Sequence, residues 1–341
     1  MSMRQAVRRS LLRALHALAP GGVILSFHSL TSVDQPSNIP VNIPVDLFES
    51  VLDIVRDFAA PVALGEFLRR AATGARTTRL FSVTFDDAYA ALPALAAPSL
   101  RSRGIPATLF VVGEAARQGG TFWWDRVADV YPHVPPARWT DFEDACGLPQ
   151  EYRTGQDRGL GPLQPLRQWI LARFRGRWPD SLAEALAILE DEVGAKTKQR
   201  SMTYDEIRSF IKHTDGAVGV HTSTHPVLPL LSDSEVLTEI ASNTQELCEQ
   251  FGGAVRALAV PFGLFDGRVL RLAKEAGMIA ALTLSGHAVD GLQQGALPRV
   301  CISRGLRHWR FAVRVSGAAG AVERHLGRAK LEYPDLPSAS T

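Results

Sequence analysis

Two adjacent aspartates follow an apolar run in the stretch SVTFDDAYA, residues 82–90. Asp86 and Asp87 stand directly behind a segment that is typical of a buried strand, where ionised carboxylates are rarely left without a partner. Two like charges this close repel each other unless a cation or a shared proton lies between them. The pair therefore predicts either a bound cation or a shared proton at the end of this strand.

Two histidines follow a second apolar run, in VGVHTSTHP at residues 218–226. His221 and His225 are four residues apart, and Pro226 disfavours helical geometry at His225, so a turn at a strand end is expected. Neutral imidazoles and a carboxylate are good ligands for zinc and similar divalent ions. Each motif has an ordinary alternative, a core histidine pair or a helix cap, but together they favour a metal site with three protein ligands.

A third motif lies in ALAVPFGLFDG, residues 257–267, where an apolar run meets Pro261, Phe262 and Gly263. Proline and glycine fix a tight turn and let the backbone approach a ligand closely. A main-chain N–H in this turn is a candidate oxyanion donor. A simple turn from strand to loop is the alternative.

Short apolar runs separated by helical patterns indicate a parallel sheet with both faces covered. Strands are expected at 23–29, 61–64, 80–87, 107–112, 217–222, 257–263, 280–284 and 299–303. Helices are expected at 46–58, 89–103, 203–213, 233–251 and 266–276. This number of units favours a β/α barrel, with a doubly wound open sheet as the alternative. In either fold the carboxyl ends of the strands share one face, where the three motifs are expected to meet.

Residues 114–200 do not follow this alternation of strands and helices. They contain tryptophans, prolines and several helical segments. We interpret them as an insertion that caps one face of the barrel, which itself is expected over 23–316. Residues 1–22 read as a basic amphipathic helix, either packed on the body or touching a membrane surface. Residues 317–341 read as a C-terminal helix and a frayed tail.

The composition excludes several classes of protein. The formal net charge is +2, from 37 basic and 35 acidic residues, which is too balanced to argue for nucleic acid as a partner. Three widely spaced cysteines without a CxxC pair argue against a disulfide framework. No run of 18 apolar residues occurs, and charged or polar residues interrupt the N-terminal apolar stretch. We expect a cytoplasmic protein, with peripheral contact to the inner membrane through the N-terminal helix as an open alternative.

The three motifs TFDD, HTSTH and VPFG, in this order, resemble those of the polysaccharide deacetylases of carbohydrate esterase family 4. Segments at 103–113, 202–210 and 234–252 also resemble that family, and the likeness spans residues 23–304 outside the insertion. The resemblance implies a distorted (β/α) barrel of about seven strands. It also implies a hydrolase that removes acetyl groups from sugars.

The resemblance further implies a role for each motif residue. Asp86 would be the general base that takes a proton from the attacking water. Asp87, His221 and His225 would hold one divalent metal ion, Zn²⁺ in the first place and Co²⁺, Ni²⁺ or Mn²⁺ otherwise. The metal and the backbone N–H of Phe262 would hold the oxyanion.

The sequence departs from the family pattern at three positions around this site. Ala88 stands where glycine is usual, so a φ below zero is expected there. Phe262 replaces a common tyrosine. Ala259 replaces an arginine that orients the catalytic aspartate, and Arg299 is a candidate to supply that charge from a neighbouring strand.

The general acid is a further departure, because the family's leucine-x-histidine motif has no convincing copy. His308 lies in a segment that reads as helical. His28, at the end of the first predicted strand, resembles the histidine of permuted family members that takes the acid role. We expect His28 to protonate the departing amine, with His287 as a weaker candidate.

The stretch FWWDR, residues 122–126, opens the insertion. Trp124 is expected either to stack on a sugar ring or to fill the core. Asp125 is expected either to pair with Arg126 or to line the cleft.

The leading hypothesis is thus a metal-dependent deacetylase acting on the amide of an N-acetylated sugar in a polysaccharide, an oligosaccharide or a lipid-linked precursor. An O-acetyl esterase with the same site is a close alternative. A non-catalytic carbohydrate-binding barrel is a different one, but it has no need for a free carboxylate beside the metal. A closed structural zinc site would require a fourth ligand, and none has suitable spacing.

Overall fold

The computed structural model describes residues 21–32, 37, 39–153, 163–284 and 295–305. The predicted N-terminal helix, apart from its last two residues, and the predicted C-terminal helix and tail lie outside these ranges, as do His287 and His308. The predicted membrane contact and cytoplasmic location therefore stay predictions. Among the helices of the described ranges, none is both long enough and apolar enough to cross a membrane.

One large parallel sheet forms the centre of the protein. Its strands and their bounds are β1 (Val23–Phe27), β4 (Ala60–Pro61), β5 (Leu80–Phe85), β6 (Ala107–Val111), β7 (Ala217–Val220), β8 (Val255–Ala259), β9 (Ala280–Thr283), β10 (Ala296–Pro298) and β11 (Val300–Cys301). Two further short strands, β2 (Leu30–Thr31) and β3 (Ile43–Pro44), pair with each other. The order is β10-β9-β8-β7-β6-β5-β1-β11, and β4 pairs with the start of β5.

The last segment of the described chain closes this sheet. β10 lies beside β9 at one edge, with Leu297 opposite Leu282, and β11 lies beside β1 at the other edge, with Val300 opposite Leu25. Only Arg299 separates the two strands in the sequence. Because one extended segment belongs to both edges, the sheet forms a nearly closed barrel of seven strand positions, which confirms the predicted fold.

Helices surround the barrel. Their bounds are α1 (Val45–Arg56), α2 (Leu64–Ala72), α3 (Leu92–Leu95), α4 (Ala97–Arg103), α5 (Gly113–Gln118), α6 (Trp123–Val130), α7 (Pro136–Ala145), α8 (Leu163–Arg173), α9 (Asp180–Val193), α10 (Tyr204–Thr214), α11 (Asp233–Phe251) and α12 (Gly267–Glu275). Short 3₁₀ turns occupy Tyr131–His133, Gln150–Tyr152, Leu228–Leu230 and Pro261–Gly263.

Two predicted elements differ from the structure. In place of the strand expected at 61–64, the structure has only the two-residue strand β4. The residues that follow form helix α2, because its buried positions Leu64, Phe67, Leu68 and Ala71 have helical spacing. The helix expected at 89–103 is divided into α3 and α4. A proline at the start of each favours a new helix there and cannot continue the previous one.

Alternation along the strands separates the barrel interior from its outer face. The outward residues of β1 and β5, such as Leu25 and Phe85, join the large core under the helices. The inward residue Ile24 of β1 belongs to a second core that includes Phe110 and Leu297 and that α2 covers. Because side chains alternate with a period of two, the inward-facing positions can be followed along each strand, and at the strand ends polar residues occupy them.

The insertion lies between β6 and β7 and has a hydrophobic core of its own. That core contains buried aromatic and aliphatic residues of four helices, including Trp123, Trp139, Trp169 and Leu186. Trp123 stacks on Trp178 with 5.3 Å between ring centroids and donates a hydrogen bond to the Gly176 carbonyl. The insertion is therefore a packed helical unit that places α6 and α8 beside the barrel mouth.

Candidate active site

The end of β5 turns sharply so that both aspartates reach the barrel mouth. Asp87 has a φ of 65° and Ala88 a φ of 49°. The expectation of a negative φ at Ala88 is therefore wrong. The Ser201 hydroxyl donates to the Asp87 carbonyl at 3.0 Å and the Met202 amide to the Ala88 carbonyl at 2.7 Å, which holds the turn in place.

Left-handed backbone recurs at the other two motifs. Thr222 has a φ of 69°, His225 a φ of 58° and Phe262 a φ of 57°. A non-glycine residue in this region costs about 1–2 kcal/mol. Such conformations persist where the surrounding structure holds them, and they are concentrated at functional sites. The three motifs that the sequence singled out are therefore also the strained turns of the barrel mouth.

Asp87, His221 and His225 come together as one buried group whose candidate ligand atoms all lie within 4.8 Å of one another. The Nε2 atoms of His221 and His225 are 3.6 and 3.7 Å from Asp87 Oδ1. Within the described residues, this buried oxygen has no hydrogen-bond partner. The carboxylate and two imidazoles thus point at a common centre without satisfying one another.

The environment of these three side chains suits a divalent cation. His221 Nδ1 lies 2.7 Å from the Ala259 carbonyl, which only accepts, so Nδ1 carries the proton and Nε2 keeps its lone pair. Burial lowers the pKa of both His221 and His225, which keeps the imidazoles neutral as ligands must be. Burial and the charges of Asp86 and Asp125 raise the pKa of Asp87, so its ionised form needs a positive partner. The donor set fits a metal ion with open positions.

Asp86 does not join this group but forms an ion pair with Arg299. The two guanidinium NH2 groups lie 2.6 and 2.8 Å from the two carboxylate oxygens, and both residues are buried. Arg299 also donates to the Thr84 hydroxyl at 3.3 Å and lies over the Phe110 ring at 5.3 Å. Burial raises the pKa of Asp86, but Arg299 and the nearby His221 outweigh burial and lower it below its ordinary value. Asp86 is therefore a fixed, ionised carboxylate.

His28 lies on the other side of Asp86. Its Nε2 is 3.9 Å from Asp86 Oδ2, and both side chains line the same cavity. Burial lowers the pKa of His28 to about 4, although Asp86 acts in the opposite direction. Its Nδ1 has no hydrogen-bond partner in the described part of the chain. His28 is thus neutral at neutral pH and free to accept and pass on a proton.

Aromatic rings surround the candidate metal ligands. The Phe262 ring lies edge-on to His225, with 4.5 Å between centroids, and Trp124 lies 4.9 Å from the same imidazole. Trp124 also stacks on Phe122 at 4.6 Å. Trp124 therefore packs on its neighbours and also lines the cavity, and its stacking on a sugar ring stays a prediction.

Asp125 does not line the cavity. It is fully buried and accepts a hydrogen bond of 2.7 Å from the Tyr89 hydroxyl, which in turn accepts one of 3.1 Å from Trp124 Nε1. Burial raises the pKa of Asp125 to about 7. Arg126 pairs with Glu190 at 2.8 Å instead of with Asp125. Both expectations for Asp125 are therefore wrong, because it neither pairs with Arg126 nor lines the cavity. Its partner is Tyr89, which follows the two aspartates in sequence.

The cavity above the site measures about 310 Å³. Its floor contains His28, both aspartates and the two ligand histidines, and its wall comes from the insertion and from Ile39–Val41. The insertion contributes a set that sequence reasoning missed, namely Val127, Ala128, Leu163, Gln164, Leu166 and Arg167. No local motif marks these residues, because only the packing of α6 and α8 on the barrel brings them to the mouth.

Comparison with known proteins agrees with this geometry. Residues 194–281 match the family model described as polysaccharide deacetylase. No curated protein sequence matches the chain.

Several solved structures share the fold. The deacetylase PplD of Streptococcus pyogenes, solved with acetate, is 14% identical with a TM-score of 0.54, over 86% of this chain and 98% of that one. IcaB from Ammonifex degensii is 19% identical with a TM-score of 0.55, over 87% and 98%. A polysaccharide deacetylase from Bacillus cereus is 15% identical with a TM-score of 0.52, over 86% and 69%.

At these identities the solved structures establish the fold, and the family match covers the segment with both ligand histidines and the Pro-Phe-Gly turn. The predicted resemblance is thereby confirmed: residues 194–281 match the polysaccharide deacetylase family, and the described chain has the fold of solved deacetylases.

Proposed function

We propose that this protein is a metal-dependent hydrolase that removes the acetyl group from an N-acetylated sugar. One observation carries the proposal. A second, ionised carboxylate, Asp86, is held by Arg299 directly beside the ligand group of Asp87, His221 and His225. A site that only bound sugar, or that only stabilised the fold, would have no need for this buried charge.

Asp87, His221 and His225 would hold the cation. When bound, a divalent ion supplies Lewis-acid polarisation of the acetyl carbonyl and lowers the pKa of a water molecule toward about 7. Zn²⁺ suits two imidazoles and one carboxylate, and Co²⁺, Ni²⁺ and Mn²⁺ are alternatives with the same ligands.

Asp86 would act as the general base. Its carboxylate takes a proton from the attacking water while the water oxygen forms a bond to the acetyl carbon. Arg299 binds both carboxylate oxygens and so positions the base. Its positive charge also makes the Asp86 carboxylate somewhat less basic. The backbone N–H of Phe262, in its left-handed turn, would donate to the carbonyl oxygen as negative charge develops there.

His28 would supply the proton to the leaving nitrogen. It is neutral in the resting site, so it must first receive a proton, and Asp86 is the group within reach. A small movement of either side chain would shorten the 3.9 Å separation to a hydrogen bond. The proton from water thus passes through Asp86 and His28 to the amine, the carbon–nitrogen bond breaks, and acetate and the free amino sugar leave.

The test is release of acetate from N-acetylglucosamine oligomers and from O-acetylated xylan by purified protein, with and without a chelator. We expect release from the N-acetylated substrate that stops on chelation and returns when Zn²⁺ is added. Release from the O-acetylated substrate alone would make the protein an esterase. No release from either substrate, with sugar still bound, would support a binding protein instead.

A further inference from the structure

Arg167 is a partly buried cation in the wall of the cavity that the proposed mechanism does not use. It lies on α8, lines the cavity, and its guanidinium carbon is 5.6 Å from the centroid of the Phe262 ring. Among the described residues, no carboxylate forms an ion pair with it. This distinguishes it from Arg126 and Arg177, which have glutamate partners.

The neighbouring charges do not neutralise Arg167. Of the two aspartates in the cavity, Asp86 already binds Arg299 through both oxygens, and Asp87 belongs to the candidate metal ligands. An arginine remains charged under all ordinary conditions. The cavity therefore holds a cationic group for which the described residues provide no counter-ion.

The surroundings of Arg167 make this charge costly without a partner. The wall beside it is apolar, with Leu163, Leu166, Val127 and Trp123. Burial lowers the pKa of Arg167, which reflects the loss of water around the guanidinium. The contact with the Phe262 ring offsets only part of that loss, since a cation on a ring face gains about 0.5–2 kcal/mol. A charge that loses part of its hydration is stabilised by a partner, and a ligand can supply the partner that the described residues do not.

We propose that Arg167 binds an anionic group of the substrate, a phosphate or a carboxylate, next to the acetylated sugar. This deepens the proposed function and rests on it. The Phe262 ring is close to both the guanidinium, at 5.6 Å, and the His225 imidazole, at 4.5 Å, so the anion would sit near the reacting acetyl group. The planar guanidinium fork fits two oxygens of either anion. The substrate class is therefore a sugar with a phosphate at its linkage or with an acidic neighbouring sugar.

The test is calorimetric binding of three probes to the Zn²⁺-loaded protein and to the metal-free protein. N-acetylglucosamine 1-phosphate carries a phosphate, the disaccharide of glucuronic acid and N-acetylglucosamine carries a carboxylate, and methyl N-acetylglucosaminide is neutral. We expect at least one anionic probe to bind about ten- to a hundredfold more tightly than the neutral one, and the preferred probe identifies the source of the anion.

Arg167→Gln is the test variant, and Arg173→Gln is its matched control. Arg173 lies on the same helix with its guanidinium 5.7 Å from the Phe174 ring, but it is exposed and does not line the cavity. We expect Arg167→Gln to remove the preference for the anionic probe over the neutral one. Arg173→Gln should keep the preference in full.

Two results would overturn the assignment: equal or unmeasurable affinity for the anionic and neutral probes in the unaltered protein, or a preference that survives Arg167→Gln. Acetate release from the probes is measured in parallel. If no acetate is released but the preference depends on Arg167, the proposed hydrolysis fails while the anion site stands.

Discussion

Arg299 binds both carboxylate oxygens of Asp86, at 2.6 and 2.8 Å, from the single residue between the two strands that close the barrel. The guanidinium therefore reaches Asp86 from the closing segment and not from β8, where Ala259 supplies no charge. Closure of the sheet and orientation of the candidate base thus depend on the same residue.

Removal of this arginine should destabilise the protein strongly. Breaking a buried ion pair from one side costs about 3–5 kcal/mol, because the remaining charge stays buried without a partner. We expect Arg299→Met to lower the free energy of unfolding in urea by about that amount. The control is Arg271→Met, whose pair with Asp233 is exposed on both sides and should be worth at most about 1 kcal/mol. Equal effects of the two substitutions would contradict the buried ion pair.

A double variant separates charge from packing at the same position. In Asp86→Asn/Arg299→Met neither buried charge remains, so part of the lost stability should return relative to Arg299→Met alone. If the double variant loses as much free energy of unfolding as the two single variants lose together, packing of the arginine, and not charge pairing, determines the loss.

The candidate metal group should couple cation binding to stability. A ligand that binds only the folded state raises the free energy of unfolding by about 2.7 kcal/mol at a hundred times its dissociation constant. We expect Zn²⁺ to raise the denaturation midpoint of the unaltered protein and to have no effect on Asp87→Ala or His225→Ala. The control His213→Ala, in an exposed histidine of α10, should respond like the unaltered protein. A response that persists in Asp87→Ala would place the cation elsewhere.

His28 should increase the rate of hydrolysis only for substrates whose leaving group needs a proton. We expect His28→Gln to reduce the rate on an N-acetylated sugar by about 10²–10⁴, the usual contribution of general acid–base catalysis. The same variant should retain most of its rate on 4-nitrophenyl acetate, because nitrophenolate leaves without protonation. A parallel loss on both substrates would mean that His28 supports the site in another way.

Asp125 should make stability depend on pH. Its pKa in the folded protein is raised from 3.8 to about 7, so the folded state favours the protonated form. Its stabilising contribution is complete below pH 4 and is lost as the pH rises through about 7. We therefore expect Asp125→Asn, which can still accept from Tyr89, to lose less stability between pH 5 and pH 8 than the unaltered protein.

The measurement is urea unfolding at both pH values, with the exposed carboxylate of Asp53 replaced by asparagine as the control. Asp53→Asn should show the same difference between pH 5 and pH 8 as the unaltered protein. If Asp125→Asn shows that difference too, Asp125 does not titrate in this range.

The strand ends were predictable because they depend on local pattern and on one rule of parallel sheets. An apolar run followed by Asp86 or His221 marks a strand whose carboxyl end opens on the common face. Arg299 became a candidate partner of Asp86 only through the family resemblance, because Ala259 stands where that family has an orienting arginine. The backbone of Ala88 was not predictable, because its left-handed conformation is imposed by hydrogen bonds from Ser201 and Met202, more than a hundred residues away.

Helix α2 and the cavity wall escaped prediction for different reasons. The run at 61–64 is too short to distinguish a strand from the start of a helix, and α2 is recognised only when the spacing of Phe67, Leu68 and Ala71 is read with it. Arg167 belongs to a helix whose sequence carries no site motif. Its position depends on how the insertion packs on the barrel, which a linear sequence does not state.

The measurement that tests the central claim most directly compares Asp86→Asn with the unaltered protein, with bound metal and released acetate determined on the same samples. We predict one equivalent of Zn²⁺ in both proteins and a loss of acetate release from N-acetylglucosamine oligomers in the variant by a factor of about 10²–10⁴. Acetate release that persists in Asp86→Asn, or that continues after the metal has been removed by a chelator, would contradict the account.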